Sequence, residues 1–330
     1  MKIAVFSTKS YDRDFLEQAN AEGKHEIAFF EERLTPSSLV LARGFEAACI
    51  FVNDVADAAT LQALTEVGLK LLLLRCAGFN NVDLDAAVRL DVSVRRVPSY
   101  SPHAVAEHTL ALILALNRKT HRAFNRVREG NFSIEGLLGF DLHDSTVGIV
   151  GTGKIGRLAA RPLHAMGCKI LGFDPFPSEE FTHEGGSYVS LPELFAASDI
   201  ISLHLPLTRD SFHLVNAESL SQMKRGVMLI NTSRGALVDA AALIGALKSG
   251  HVGYVGLDVY EQEADVFFED LSGEIIQDDT LQRLLTFPNV LITSHQAFFT
   301  KTAMRNIAET TLQNADDFLA GKASGNEVKK

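Results

Sequence analysis

Val147–Gly156 reads VGIVGTGKIG. A short apolar run enters Gly-x-Gly-x-x-Gly, and the amphipathic stretch Lys154–Met166 follows, so the order is strand, glycine loop, helix. Each glycine has its own physical reason. Gly151 permits the tight turn, Gly153 lets the backbone approach a pyrophosphate, and Gly156 allows the helix to pack closely on the strand. A helix starting at Lys154 and Ile155 offers free N–H groups and the positive end of its dipole to an anion. The next expected strand, Lys169–Phe173, ends on Asp174, 18 residues past Gly156. A carboxylate there accepts both ribose hydroxyls of an adenosine and repels a 2′-phosphate, and Pro175-Phe176-Pro177 brings no arginine to receive one. The stretch predicts a dinucleotide site that favours NAD over NADP.

The same rhythm continues on both sides. Downstream, strands are expected at Ile200–Leu203, Val227–Asn231, Tyr254–Val259 and Val290–Ile292, with a weak one near Tyr188. Helices fit Pro192–Ala197, Ala217–Met223 and Ala240–Lys248. Upstream, Lys2–Ser7, Ala47–Val52, Leu69–Leu74 and Val92–Val97 read as strands, with helices at Thr60–Val67 and Leu84–Leu90. Ser101-Pro102 opens a helix whose apolar stripe through Val105, Leu112 and Leu116 carries it past Asn117, with Gly130 as its terminator. It sits where one half of the chain passes to the other. Glu261–Asp279 reads as irregular, Thr300–Leu319 as a final amphipathic helix, and the polar segment 321–330 as a frayed tail. Strands alternating with helices throughout predict an α/β fold with two doubly wound parallel-sheet domains.

Composition bounds the partners. The chain has 330 residues, enough for two domains, with 46% hydrophobic and 22% charged residues, the balance of a globular protein. No apolar run approaches the roughly 20 residues of a membrane span, and Met1–Ser7 reads as a first strand rather than a signal peptide. The formal net charge of −10 disfavours nucleic acid as a partner. Any anionic ligand must therefore be held by locally placed groups. Three cysteines, Cys49, Cys76 and Cys168, stand in apolar or strand-end contexts without a CxxC pair, which fits reduced thiols in the cytoplasm.

Three polar residues stand just past the ends of three expected strands. Arg234 lies in Asn231-Thr232-Ser233-Arg234-Gly235, placed to fork onto a carboxylate. Glu263 follows Asp258-Val259-Tyr260-Glu261-Gln262 and is a carboxylate partner for a histidine, whereas Glu261 reads as a solvated loop acid. His295, in Thr293-Ser294-His295-Gln296-Ala297, has the context of a general acid or base. In a doubly wound sheet the carboxyl ends of the strands line one crevice, where such groups converge.

Taken together, GTGKIG, His204-Leu205-Pro206-Leu207-Thr208, NTSRGALVD, DVYEQE, RCAGFNNVD at Arg75–Asp83, VFFED at Val266–Asp270 and SHQAF at Ser294–Phe298 resemble the NAD-dependent D-2-hydroxyacid dehydrogenase family over nearly the whole chain. The resemblance implies NADH-dependent reduction of pyruvate to D-lactate. Larger 2-keto acids such as phenylpyruvate or 2-ketoisocaproate are the alternative substrates, and a non-catalytic NAD-sensing co-regulator is a remoter alternative. It implies a flavodoxin-like substrate domain of residues 1–99 and 298–330, a Rossmann NAD-binding domain of residues 100–297, and an interdomain cleft. Arg234 would grip the substrate carboxylate, His295 would protonate the ketone, and Glu263 would hold His295. Ala77 and Gly78 would meet the carboxylate through their N–H groups, and Tyr100 and Phe298 would bound the substrate side chain. Val105, Ile155, Asp174, His204, Leu205, Pro206, Thr208, Thr232 and Asp258 would line the cofactor with the glycine loop, joined by Ser233, Arg234 and His295. No metal is implied, and a homo-oligomer, dimer or tetramer, is expected.

Overall fold

The computed structural model describes residues 1–328, apart from the side chain of Asp265. Among them Lys2–Val5 (β1), Glu26–Phe29 (β2), Ala47–Ile50 (β3), Leu71–Leu74 (β4) and Ser93–Arg96 (β5) form one sheet in the order β2-β1-β3-β4-β5, parallel throughout. This is the flavodoxin-like strand order. Side chains alternate across a strand, so the four consecutive leucines of β4 serve two cores. Leu72 and Leu74 join Phe6, Ile50, Leu61 and Leu64 on one face. Leu71 and Leu73 join Ile3 and Val5 on the other, where Ala308, Leu312 and Ala315 of the helix Lys301–Leu319 cover them. That apolar stripe is why the end of the chain belongs with its beginning.

A second parallel sheet contains Thr146–Val150 (β6), Lys169–Phe173 (β7), Gly186–Tyr188 (β8), Ile200–Leu203 (β9), Val227–Asn231 (β10), Val252–Leu257 (β11) and Val290–Ile292 (β12). Its order is β12-β11-β10-β9-β6-β7-β8. The chain runs outward from β6 to β8, returns to β9 on the other side of β6, and then runs outward again. The order therefore reverses at β6 and β9, the switch point at which doubly wound sheets bind ligands. Met228 and Ile230 face one core with Leu112, Ile113 and Leu116, while Val227 and Leu229 face another with Leu243 and Leu281.

The division between the two units falls after Ser101 and after Phe298. Phe298, expected in the first domain, thus lies in the second unit, where its ring stands edge-on to His295. Three further expectations are corrected. The first sheet has a strand, β2, and a preceding helix, Ser10–Ala19, that the periodicity did not suggest. The long helix from Ser101 is two helices, Pro102–Arg118 and Thr120–Arg128, because Lys119 between them is left-handed at φ 50° and interrupts the hydrogen-bond ladder. The tail expected to fray is held through residue 328, and residues 329 and 330 lie outside the described residues. Arg96 N donates to Asn326 O, Val328 N donates to Val94 O, and Glu327 bridges Arg95 antiparallel, so the tail covers the open edge of β5. Buried Arg95 secures it by donating to Asn314 O and Lys322 O.

Candidate active site

The glycine loop has the geometry its sequence demands. Gly151 is at φ 96°, and a Cβ there would stand 2.7 Å from the His204 carbonyl. A Cβ on Gly156 would stand 2.0 Å from Gly151 O, so only glycine lets the helix Lys154–Ala165 sit this close to its own entry loop. Gly153 differs: a Cβ there meets nothing within 4 Å, and what its absence leaves open is the approach to the helix N-terminus. At the end of β7, Asp174 Oδ2 accepts from Thr152 N at 2.7 Å and Oδ1 from Phe176 N at 2.9 Å. These bonds orient the carboxylate at the rim of the loop. The chain's own residues thus fit a pyrophosphate with an unphosphorylated ribose beside it.

The turn after β9 forms another side of this crevice. His204 N donates to Val150 O, tying the turn to the glycine strand. Burial pushes the His204 ring down to about 4, so it is neutral at physiological pH, with Nε2 2.9 Å from Ser202 Oγ. Ser211 Oγ caps the turn by donating to Pro206 O and accepting from Thr208 N. Ser233 Oγ donates to Leu205 O, joining this turn to the end of β10. Thr232 is buried, with Oγ1 3.0 Å from Thr109 Oγ1, which itself donates to Val105 O. Thr109 thus links Val105 and Thr232.

Arg234, Glu263 and His295 follow β10, β11 and β12, which are adjacent strands. Backbone bonds zip the three strand ends together: Asp258 N donates to Asn231 O at 2.9 Å, and His295 N to Asp258 O at 2.7 Å. His295 Nδ1 lies 2.6 Å from Glu263 Oε1, both side chains being largely shielded. Glu263 Oε2 accepts from Tyr260 N at 2.8 Å, which fixes the carboxylate. The imidazole Nε2 has no protein partner among the described residues, and the backbone of His295, at φ 54°, is left-handed, a strained conformation for a residue with a side chain. Arg234 approaches from the neighbouring strand end. A Cβ on Gly235 would stand 2.1 Å from the Tyr260 carbonyl carbon, so glycine is what lets the Arg234 loop lie on the loop that bears Glu263. Arg234 Nη1 donates to Ser233 O at 2.7 Å, and the guanidinium pairs with no carboxylate among the described residues.

Asn231, which opens the arginine motif, and Asp258, expected at the cofactor, both shape this site from the ends of β10 and β11. Asn231 is fully buried at the end of β10. Its Nδ2 donates to Arg234 O and its Oδ1 accepts from Ser233 N, which shapes the arginine turn. Asp258 is also fully buried and accepts from three donors, Thr293 Oγ1, Gln296 N and Ala297 N, while His108 Nε2 stands 3.3 Å from its carboxylate and 3.0 Å from Thr293 Oγ1. It staples the histidine loop in place. Glu261 is exposed, as expected of a loop acid, and its carboxylate lies 2.9 Å from His213 Nε2. A buried polar residue at a strand end was the available signal for Asn231 and Asp258, whereas nothing in the sequence ties His108 or His213 to these loops.

In the first unit, the loop after β4 carries Ala77 and Gly78. Cys76 O accepts from Val97 N, and Ala77 O accepts from Arg96 Nη1 at 2.7 Å. Those two bonds fix the peptide planes that bear the Ala77 and Gly78 N–H groups. Beneath them Arg75 is buried, donating from Nη2 to Ser7 O and pairing through Nε with Asp12. Tyr100 O is held by Asn306 Nδ2.

Comparison with known proteins adds to this geometry. Residues 110–297 match the family model for the NAD-binding domain of D-isomer specific 2-hydroxyacid dehydrogenases. The chain is 51% identical to D-lactate dehydrogenase of Escherichia coli over 99% of its length and 100% of that protein's. The apo-structure of D-lactate dehydrogenase from Escherichia coli superposes with a TM-score of 0.92 at 48% identity, covering all of both chains. D-lactate dehydrogenase from Aquifex aeolicus, complexed with NAD and lactic acid, superposes with a TM-score of 0.88 at 33% identity, covering 99% of this chain and 98% of that one.

Proposed function

The chain belongs to the D-isomer specific 2-hydroxyacid dehydrogenase family, and from that premise we propose that it reduces pyruvate to D-lactate, reversibly, with NADH as the cofactor. The observation that carries this reading is the Glu263–His295 pair, 2.6 Å apart, at strand ends zipped to the one that bears Arg234. We assign NAD to the second unit and much of the substrate pocket to the first.

When bound, NADH supplies the hydride that reaches the ketone carbon of pyruvate. The rest is done by the chain's own groups. Arg234 holds the carboxylate through a two-point fork and so fixes the carbonyl's orientation. His295 Nε2 delivers a proton to the ketone oxygen as negative charge develops there. Glu263 accepts the Nδ1–H bond, selects the tautomer and stabilises the imidazolium that must form before each turnover. Ala77 and Gly78 N–H groups are assigned to the substrate carboxylate, and Tyr100 and Phe298 to its methyl end. The pyrophosphate is assigned to Gly151, Gly153, Lys154, Ile155 and Gly156, the adenosine ribose to Asp174, and the remaining cofactor wall to Val105, the His204–Thr208 turn, Thr232 and Ser233. Asp258 is assigned to the nicotinamide end.

The direct test is NADH oxidation with pyruvate, followed by chiral assay of the product. D-lactate is the expected product, with pyruvate preferred over phenylpyruvate and 2-ketoisocaproate, and NADH preferred over NADPH by at least about tenfold because Asp174 repels a 2′-phosphate. Preference for a bulky 2-keto acid would move the assignment to the larger-substrate branch. Tight NADH binding without turnover of any 2-keto acid would leave only the sensing role.

We also propose a homo-oligomer in the cytoplasm. No helix among the described residues is long and apolar enough to cross a membrane, and the three cysteines are buried free thiols, with Cys49 pushed up to about 11 by burial. Phe124, Phe132, Ile134 and Leu138 are exposed, the last at 87%, and we assign this stretch of the chain to the surface that a second copy would cover. Charging it with Phe132→Asp and Ile134→Asp should shift the protein to monomer in sedimentation at micromolar concentration. An unchanged sedimentation coefficient would rule this surface out.

A further inference from the structure

Two aromatic residues in sequence, Phe267 and Phe268, follow the turn that carries Glu263. Val266 N and Phe267 N both donate to Glu263 O, closing a single 3₁₀ turn over Glu263–Asp265. Phe267 then buries its ring in the core of the second unit. Phe268 packs, part-buried, at the margin of the same core. It takes φ 71°, in the left-handed region that an aromatic side chain rarely enters. That reversal swings its ring back onto the imidazole of His295, with centroids 5.8 Å apart and planes inclined at 39°.

His295 is itself left-handed, at φ 54°. The contact is therefore made by two residues that both hold unfavourable backbone, and such strain persists only where the surroundings enforce it. For His295 the enforcing bonds are its own N–H donating to Asp258 O and the next two N–H groups, of Gln296 and Ala297, donating to the Asp258 carboxylate. For Phe268 the constraint comes from its two neighbours, Val266 and Phe267, whose N–H groups donate to Glu263 O, and from packing against the core of the second unit. One residue, Glu263, thus reaches His295 twice. Its carboxylate takes Nδ1 at 2.6 Å, and its carbonyl anchors the turn that returns the Phe268 ring.

We infer that Phe268 is a positioning residue for His295. A hydrogen bond at Nδ1 alone leaves the ring free to tilt about that contact. The Phe268 ring on one side, with the Phe298 ring edge-on at 6.4 Å, removes that freedom. Nε2 is then held on one trajectory, which is what proton transfer to a developing alkoxide requires. The inference rests on His295 being the proton donor assigned above.

The test uses the full-length protein with Phe268→Leu and Phe268→Tyr. Phe268→Leu keeps an apolar side chain but loses the flat face. It should lower kcat for pyruvate reduction about 10- to 100-fold while pyruvate KM and the NADH dissociation constant stay within about twofold. Its solvent deuterium isotope effect on kcat should rise, because a misaligned proton transfer becomes rate-limiting. Phe268→Tyr restores the face and should recover most of kcat. Wild-type kcat in Phe268→Leu, or a loss that moves only with Tm and leaves the isotope effect unchanged, overturns the inference. The underlying reading is separated by two controls, turnover by the wild type and its loss in His295→Ala. If both behave as assigned, the Phe268 result bears on positioning alone. If the wild type reduces no 2-keto acid, or His295→Ala remains fully active, the assignment of the proton donor fails first and the positioning role falls with it.

Discussion

His295→Ala should lose about 10³- to 10⁴-fold in kcat for pyruvate reduction while NADH still binds with nearly its wild-type affinity. The size follows from what the ring does. Hydride addition to a ketone leaves an alkoxide, and a positioned general acid that quenches it contributes typically 10²- to 10⁴-fold. The upper part of that range is expected because the donor is held at both ends, by Glu263 at Nδ1 and by the strained backbone at φ 54°. NADH binding survives because the glycine loop, Asp174 and the His204 turn are built on β6, β7 and β9, whereas His295 follows β12 at the far edge of the same sheet. Stopped-flow turnover measures the first quantity and quenching of NADH fluorescence the second. Glu263→Gln makes a graded companion: it keeps an acceptor for Nδ1 but drops the charge, so its loss should be smaller than that of His295→Ala. A His295→Ala enzyme that retained a tenth of wild-type kcat would remove the ring from the chemistry.

Much of this site could be read before any coordinates, for a physical reason. A doubly wound sheet places function just past strand ends, and strands buried on both faces announce themselves as apolar runs. Val147–Val150, Val227–Asn231 and Val290–Ile292 were legible in that way, so Gly151, Arg234 and His295 could be placed against the fold. The edges were less legible. β2 is four residues long and none of it is fully buried, so EIAF carries no pattern distinguishable from a loop. The helix Ser10–Ala19 buries only Asp12 and Leu16, and one of those is a charge paired to buried Arg75. The break at Lys119 depends on one left-handed residue that its sequence does not mark. The ordered tail depends on a long-range partner, β5, more than 200 residues away in sequence. The contacts that hold the site in shape are long-range too. Asp258 with His108, Glu261 with His213, and Phe268 with His295 each join segments that no local periodicity connects.

Arg234→Lys tests the other half of the reading, the grip on the substrate. The guanidinium is held by Nη1 on Ser233 O and by a turn that Asn231 locks from beneath. It therefore presents its remaining donors on a rigid plane, and a planar fork matches a carboxylate at two points. A lysine keeps the charge but is a flexible point donor, and it cannot fix the carboxylate plane. Hydrogen bonds to charged groups are worth about 1.5–3 kcal/mol. Losing one arm of the fork should therefore raise pyruvate KM by about 10- to 150-fold, at 1.36 kcal/mol per factor of ten. A further fall in kcat is expected, because the ketone loses its alignment with His295 Nε2. The split between the two constants is informative. A KM effect alone would mean that Arg234 binds the carboxylate without orienting the ketone, whereas a combined fall means that it does both. The NADH dissociation constant should change little, because the pyrophosphate loop is anchored on β6. Pyruvate kinetics untouched by Arg234→Lys would show that the carboxylate is held elsewhere. The Ala77 and Gly78 N–H groups, with their peptide planes fixed by Val97 and Arg96, would then have to carry the anion without a fork.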